Sequence, residues 1–184
     1  MPQHARAKEI GRLYQDPMRG TAPGMTIEEN LALAAGKGGW LSHTTRQEKE
    51  RFREELKKLD IGLEERMSHP VGLLSGGQRQ RVCIGEALMT NPGLLVADEA
   101  VSALDVTIQA QILELLEQLK EEMGLSILFI SHDMRVVYQL CDRVMIMKDG
   151  TIVESGDVDT VYFSPQHEYT KELLEAAGIG EDEA

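Results

Sequence analysis

The sequence predicts an α/β fold in which helices flank a parallel β-sheet. Two short apolar runs carry this prediction, "LLVAD" at 94–98 and "LSILFIS" at 125–131. Continuous apolar runs of this length are typical of parallel strands, which are buried on both faces. The segment between them, 106–123, has the apolar spacing of an amphipathic helix, with Ile108, Ile112, Leu115 and Leu119 on one side. Strands that alternate with helices indicate a parallel α/β core.

Composition and charge place the chain among ordinary globular proteins. Its 184 residues are 42% hydrophobic and 27% charged, which is the usual range for a soluble domain. The 31 acidic and 19 basic residues give a net charge of −12. Because phosphate neutralisation needs clustered Lys and Arg, this balance argues against a nucleic-acid partner.

The sequence also predicts a cytoplasmic location. No apolar run approaches the roughly 18 residues of a membrane-spanning helix, and the N-terminus lacks the apolar core of a signal peptide. Cys83 and Cys141 have no CxxC or Cys/His spacing, so buried reduced thiols are favoured over a disulfide or a metal site. Any membrane contact is therefore expected to be peripheral.

The N-terminal half divides into two predicted segments. Residues 1–24 are polar and turn-rich around "YQDPMRG". Residues 25–88 are predicted to form a helical subdomain, whose first helix is "TIEENLALAA". Thr26 and Glu29 have the spacing of a capping box at its start.

A Gly-rich stretch, "GKGG" at 36–39, predicts a flexible break in this subdomain. Trp40, the only tryptophan, lies at the break and is either a contact residue or a packing residue. A second helix is predicted over 44–60, with an apolar face formed by Phe52, Leu56 and Leu59.

The C-terminal half is predicted to hold the α/β core, 89–156, and a closing segment, 157–184. The core follows a helix that starts at a Gly-Gly pair and stops at "NPG". After the second strand, a helix near 133–141 leads into "RVMIMKDGTIVESG", a predicted hairpin that turns at Asp149 and Gly150. The closing segment predicts two short helices, "VDTVYF" and "EYTKELLEAA", and the acidic tail "GEDEA".

Two carboxylates, Asp98 and Glu99, follow the first apolar strand. The carboxyl edge of a parallel sheet is where α/β proteins bind ligands. Because successive strand residues point to opposite sides, one carboxylate can hold a hydrated Mg²⁺ while the other orients a water for attack on a phosphoryl group. Taken alone, the pair favours a solvated strand end, and the motifs around it change that interpretation.

The motif "LSGGQ" at 74–78 precedes the first core helix. A helix N-terminus attracts anions through its unpaired N–H groups and its partial positive charge. Gly76 and Gly77 let this backbone approach a phosphate without a Cβ in the way, and Ser75 adds a hydroxyl donor. The alternative is a glycine turn that only caps the helix.

These motifs together resemble the ATP-binding subunits of ABC transporters. In that family's order, "YQDP" with Gln15 is similar to the Q-loop, "LSGGQ" to the signature and "LLVADE" to Walker B. "SALD" at 102–105 is similar to the D-loop, and "SHD" with His132 to the switch histidine. The resemblance covers nearly the whole chain. It implies a partial P-loop NTPase-like sheet with a helical subdomain that carries the signature.

The resemblance implies that the cofactors are ATP and Mg²⁺. It implies that Glu99 polarises the attacking water, that Asp98 holds Mg²⁺, and that His132 contacts the γ-phosphate. Gln15 would reach Mg²⁺ or the attacking water. Without the resemblance, His132 would be interpreted as a packing residue and Gln15 as a turn residue.

The resemblance also implies a site shared between subunits. The signature residues Ser75, Gly76, Gly77 and Gln78 would contact the γ-phosphate of a nucleotide held by a second ATP-binding subunit in a head-to-tail dimer. Asp105 would act across the same interface, and it is also placed to cap the helix that begins near Val106. The helix pair before the signature would dock transmembrane permease subunits, or form a solvated surface.

The sequence departs from the family pattern at the phosphate-binding loop. No G-x-x-x-x-G-K-[ST] occurs, and "AGKGGW" at 35–40 lacks the spacing. We therefore interpret the chain as an N-terminally truncated subunit without its P-loop, and expect it to bind ATP weakly alone. Glu86 stands where many family members have Arg, which is expected to weaken a local ion pair.

Three functions are compatible with these motifs. The first is the ATPase subunit of an importer at the inner face of the cell membrane, because "SPQHEYTKELLEA" is similar to oligopeptide or dipeptide importers and "QDPMRGTAPGMTIEENLALA" to amino-acid importers. The second is a non-catalytic module that supplies its signature loop in trans. The third, an ABC-type ATPase acting on DNA or ribosomes, is disfavoured by the acidic charge.

Overall fold

The computed structural model describes residues 9–36, 44–59 and 62–179. Trp40, most of the "GKGG" stretch and the acidic tail lie outside these residues. The chain separates into two compact units, divided between Ile130 and Ser131. This boundary falls inside the 89–156 segment, and the four-segment division made from the sequence remains a prediction.

The first unit contains a three-stranded parallel sheet in the order β1 (Ile10–Leu13), β2 (Leu94–Asp98) and β3 (Ser126–Ile130). The central strand places Leu95 opposite Gly11 and Asp98 opposite Ile130. The two apolar runs are therefore neighbouring parallel strands, and the α/β prediction is confirmed. The carboxyl ends of all three strands lie at one edge of the sheet.

Strand β1 corrects the sequence analysis, which described residues 1–24 only as polar and turn-rich. The strand "IGRL" is too short and too polar for a periodic signal. It forms because it pairs with β2, and because Gly11 lets it lie close to the helix that ends at Leu88. A Cβ at Gly11 would stand 2.8 Å from the carbonyl oxygen of Ala87.

Four helices complete this unit: α1 (Ile27–Ala34), α2 (Arg46–Lys57), α3 (Gly76–Leu88) and α4 (Val106–Met123). Short 3-10 turns occur at Pro17–Arg19, Leu63–Glu65 and Val71–Leu73. The apolar face predicted for α2 is confirmed, because Phe52, Leu56 and Leu59 are buried. Helices α1, α2 and α3 meet at Gly85, where an added Cβ would stand 3.6 Å from Leu31 of α1 and 3.8 Å from Leu56 of α2.

The start of α1 has the predicted capping box. The Thr26 hydroxyl accepts from the Glu29 N–H, and the Glu29 carboxylate accepts from the Thr26 N–H at 2.7 Å. The Thr26 N–H and the Thr26 hydroxyl both donate to the Glu29 carboxylate, and these two hydrogen bonds lower the pKa of Glu29. One turn further, the buried Asn30 side chain accepts from the Ala22 N–H at 2.7 Å and donates to the Ala22 carbonyl at 3.1 Å. Asn30 therefore fixes the loop that leads into the helical subdomain.

Replacing Asn30 with leucine is expected to lower the free energy of unfolding by about 1–3 kcal/mol, because the half-buried Ala22 amide loses its acceptor. Urea denaturation followed by circular dichroism measures the change. Leu33→Ala on the same helix is the matched control, since Leu33 is half exposed. Equal losses in the two variants would contradict the role given to Asn30.

The second unit contains α5 (Met134–Leu140), β4 (Arg143–Lys148), β5 (Thr151–Asp157), α6 (Val158–Phe163) and α7 (Glu168–Ala176). Strands β4 and β5 form the predicted antiparallel hairpin. Asp149 and Gly150 turn it with φ values of 49° and 77°, as a two-residue hairpin loop requires. The core of this unit consists of Met134, Val137, Val144, Ile146, Val161, Tyr162 and Leu174.

None of the helices within the described ranges combines the length and the apolar composition that a bilayer crossing requires.

Candidate functional site

Asp98 lies at the carboxyl end of β2, where its side chain is exposed. Together with Gln15 it lines a pocket of about 200 Å³, whose other lining residues are Tyr14, Asp16 and Arg19. The turn after β1 brings Gln15 to this position, because its 3-10 segment is capped by Asp16, whose carboxylate accepts from the Met18 N–H at 2.9 Å. Two of the candidate residues far apart in sequence are thus brought together.

The residues of this pocket fit a Mg²⁺ ion that is held mainly by phosphates and water. Asp98 and Gln15 both offer side-chain oxygens, which are the ligands this ion prefers. Within the described ranges there is no group of three or more His, Cys, Asp or Glu side chains placed to hold a metal. Mg²⁺ commonly uses only one or two protein carboxylates together with substrate phosphates.

Glu99 is held in a strained backbone conformation directly after β2. Its φ is 51°, a left-handed value that costs a non-glycine residue about 1–3 kcal/mol. Its N–H donates to the Ile130 carbonyl at 2.9 Å, and its carbonyl accepts from the Ser102 hydroxyl at 2.9 Å. The ends of β2 and β3 therefore fix the backbone of Glu99, whose side chain is partly buried.

The signature loop, residues 75–78, forms the start of α3. Ser75 is the N-cap: its hydroxyl oxygen accepts from the Gln78 N–H at 3.3 Å, and the Gln78 side chain accepts from the Ser75 N–H at 3.1 Å. In the part of the chain that the structure describes, no acceptor lies within reach of the Gly76 and Gly77 amides. These two N–H groups are the donors that the loop offers to an anion.

The two glycines have different surroundings. A Cβ at Gly76 would meet only Leu104, at 3.8 Å, which is an ordinary contact. A Cβ at Gly77 would stand 2.6 Å from Cγ2 of Ile108 on α4. The space needed at Gly77 is therefore set by packing inside this chain, whereas Gly76 is exposed. The motif predicts the same requirement for both glycines, close approach to a phosphate, whereas the structure shows that their surroundings differ.

Asp105 caps α4, as one of its two interpretations required. Its carboxylate accepts from the Ile108 N–H at 3.0 Å. The Asp105 side chain is exposed. Since Ile108 also contacts the signature loop, the starts of α3 and α4 lie side by side.

His132 belongs to the second unit and follows β3 along the chain. Its side chain is exposed. The neighbouring Asp133 caps α5 by accepting from the N–H groups of Arg135 and Val136. The role of His132 at the nucleotide remains a prediction.

Sequence reasoning missed Gln80, the second glutamine of "SGGQRQR". Its side chain is fully buried and donates to the Ala100 carbonyl at 2.7 Å. It thus ties the signature helix α3 to the loop that follows Glu99. Gln80 could have been found as a polar residue on the buried face of α3, but the sequence does not show which face of that helix is buried.

Replacing Gln80 with leucine is expected to cost about 1–3 kcal/mol of unfolding free energy, because the Ala100 carbonyl loses its buried donor. The urea midpoint measures this loss. Gln118→Leu is the matched control, because Gln118 is exposed on α4. A midpoint for Gln80→Leu that equals the control's would show that the hydrogen bond is unimportant.

A family model for ABC transporters matches residues 2–102. The chain belongs to the ABC transporter family. Among curated relatives, it is 44% identical over 173 residues to the oligopeptide transport ATP-binding protein OppD of Bacillus subtilis, covering 94% of this chain and 48% of OppD. It is also 44% identical over 179 residues to the peptidoglycan transport ATP-binding protein YejF of Agrobacterium fabrum, covering 96% of this chain and 32% of YejF. The chain spans about half of the length of OppD and about a third of the length of YejF.

Solved structures of ABC proteins share the fold. The cbiO1 protein of Clostridium perfringens, part of the ABC transporter complex cbiONQ, superposes with a TM-score of 0.75 at 25% identity, covering 97% of this chain and 66% of cbiO1. The ATP-binding cassette MJ0796, a dimer in a post-hydrolysis state bound to ADP and Pi, gives 0.70 at 29% identity, covering 86% of this chain and 68% of MJ0796. The α/β fold is therefore that of ABC ATPases.

Glu86 lies on the signature helix α3. It lines a cavity of about 680 Å³ together with residues of α1, β1 and β2. Its Oε1 atom is enclosed and has no hydrogen-bond partner in the described part of the chain. Burial raises the pKa of Glu86 to about 8. Its neighbour Cys83 is a buried free thiol, and burial together with the nearby Glu86 raises the pKa of Cys83 to about 12.

Proposed function

We propose that this chain is the ATP-binding subunit of an importer for peptides or amino acids, and that it works as one half of a head-to-tail pair. The proposal rests mainly on the signature loop, whose Gly76 and Gly77 amides donate to no acceptor in the described chain. The pocket of Gln15 and Asp98 is built elsewhere, from β1, the turn after it and β2. The two half-sites suit two different nucleotides.

In the proposed reaction, each half-site has its own task. Asp98 and Gln15 would hold Mg²⁺, which would offset the negative charge of the nucleotide's phosphates. Glu99 orients the attacking water, and its fixed backbone supports that role because it reduces the reorganisation needed at the moment of reaction. His132 donates to the γ-phosphate.

The signature loop completes the site of the second subunit. A phosphate at the start of α3 gains two backbone N–H groups and the helix dipole. The Ser75 hydroxyl oxygen already accepts from Gln78, so its own proton stays available for donation to the phosphate. Asp105 acts at the same interface, beside Ile108 and the first turn of α3.

The proposed partners are a second ATP-binding subunit and transmembrane permease subunits. The relatives support an importer, because OppD is an oligopeptide transport ATP-binding protein and the GsiA protein of Escherichia coli K12, 40% identical over 178 residues, is a glutathione import ATP-binding protein. We propose that the chain is peripheral at the inner face of the membrane and has no nucleic-acid partner.

The second candidate is a non-catalytic module that only supplies its signature loop in trans. The absence of G-x-x-x-x-G-K-[ST] from the sequence favours it. That loop normally cradles the α- and β-phosphates with backbone N–H groups and adds a lysine. We therefore expect the isolated chain to bind ATP weakly and to hydrolyse it negligibly.

Two measurements test these proposals. Isothermal titration of the isolated chain with Mg²⁺ and ATP should show no saturable binding at micromolar concentrations, and stoichiometric binding there would contradict the expectation. Mixing the chain with full-length Bacillus subtilis OppD should raise the ATPase rate above that of OppD alone. No increase would contradict the role in trans. A Glu99→Gln chain that stimulates equally would favour the non-catalytic module.

A further inference from the structure

Ile108 connects the two loops that the proposed function places at the dimer interface. Its backbone N–H is held by the Asp105 carboxylate at 3.0 Å. Its side chain faces Gly77, and an added Cβ there would stand 2.6 Å from Cγ2, 3.5 Å from Cδ1 and 3.7 Å from Cβ of Ile108. Ile108 is itself half-buried in this contact. The first turn of α3 therefore packs against the start of α4.

The contact between Ile108 and Gly77 limits where the Gly76 and Gly77 amides can lie. Side chains in close-packed regions leave few voids, so a backbone in contact with a branched side chain has little freedom to move toward it. Isoleucine is stiff at χ1, which fixes Cγ2 more firmly than an unbranched side chain would. The capping box of Ser75 and Gln78 holds the loop's internal shape, and the contact with Ile108 holds its position relative to Asp105.

We propose that Ile108 is a positioning residue. Its Cγ2 methyl group fixes the position of the signature loop relative to the Asp105 loop, so that both loops reach the second subunit's nucleotide together. This inference rests on the proposed function. It makes the requirement for glycine at position 77 a consequence of Ile108, and it leaves the requirement at position 76 to the ligand.

The chain offers a matched set of variants that tests the inference. Gly77→Ala adds the Cβ that collides with Ile108, and Gly77→Ala with Ile108→Ala removes the methyl group that it meets. Gly77→Ala with Ile108→Val is the control, since valine keeps the Cγ2 methyl group and removes only Cδ1. Gly76→Ala with Ile108→Ala is the second control, because Gly76 faces Leu104 and not Ile108.

Two readouts are needed. One is the stimulation of OppD ATPase activity by each variant, and the other is the position of the Ser75–Gln78 amide resonances in the free chain. Gly77→Ala should shift these resonances and reduce stimulation by roughly ten-fold to a hundred-fold, since a misplacement of about 1 Å can have that effect. The pair with Ile108→Ala should restore both, and the pair with Ile108→Val should restore neither. Ile108→Ala should not rescue Gly76→Ala.

Two outcomes would rule out the positioning role of Ile108. If Gly77→Ala leaves the amide resonances in place, or if Ile108→Val rescues as well as Ile108→Ala, then Ile108 does not position the loop. Failure of the parent chain to stimulate OppD would count against the proposed function instead. The amide resonances would still decide whether Ile108 sets the loop's position.

Discussion

Replacing Gly76 with aspartate is expected to abolish the stimulation of a complete ATP-binding subunit while leaving the chain folded. Position 76 is exposed, and an added Cβ meets no atom closer than 3.8 Å. It is also the first residue of α3, where a negative charge interacts favourably with the helix dipole by about 0.3–1 kcal/mol. The same charge would repel the γ-phosphate that the loop is proposed to bind.

The expected loss of stimulation is about 100-fold or more, because a carboxylate in place of a phosphate-binding surface removes a favourable interaction and adds a repulsive one. ATPase rates across a titration of OppD with the chain measure it. Gly24→Asp is the matched control, since Gly24 is exposed and an added Cβ there meets no atom within 4 Å. If both aspartate variants stimulate as the parent chain does, the signature loop does not approach a phosphate.

Replacing Glu86 with glutamine is expected to stabilise the chain strongly at alkaline pH. Burial raises the pKa of Glu86 to about 8 in the folded chain from its ordinary value of 4.5. Between these values the folded state keeps a proton that the unfolded state has released, so the free energy of unfolding falls as the pH rises through this window. Glutamine keeps the shape and neutrality of the protonated side chain and removes this loss.

Urea midpoints measured from pH 4 to pH 9 test this expectation. The glutamine variant should match the parent chain near pH 4 and exceed it above pH 8 by on the order of a few kcal/mol. Glu121→Gln, at an exposed position of α4, controls for the removal of one carboxylate. Parallel profiles for the parent chain and Glu86→Gln would show that Glu86 is not buried as the structure has it.

Elements with a strong local signal could be predicted from the sequence. Helix α4 runs over the residues that the apolar spacing indicated, Val106–Met123, because a long amphipathic face and the Asp105 cap define both its side and its start. The hairpin between β4 and β5 turns at Asp149 and Gly150, whose left-handed conformations such residues tolerate. In each case the local preference and the tertiary packing agree.

Elements that depend on distant partners could not be predicted. Strand β1 exists because β2 lies beside it, and Gly11 needs its small size because of Ala87. The sequence motif identifies "LSGGQ" as a unit, but only the structure shows that Gly77 faces Ile108 whereas Gly76 is open. The full burial of Gln80 and the partial burial of Glu86 likewise follow from helix packing, which no local pattern near either residue specifies.

The most direct test of the proposed role in trans follows the Gly76 and Gly77 amides in the assembled pair. The chain would be labelled with ¹⁵N and mixed with an unlabelled, hydrolysis-deficient OppD, first without nucleotide and then with Mg²⁺ and ATP or Mg²⁺ and ADP. We predict that both glycine resonances shift with ATP and OppD together, and that they stay in place with ATP alone or with ADP and OppD. Shifts caused by ATP without OppD, or no shift when all three components are present, would contradict it.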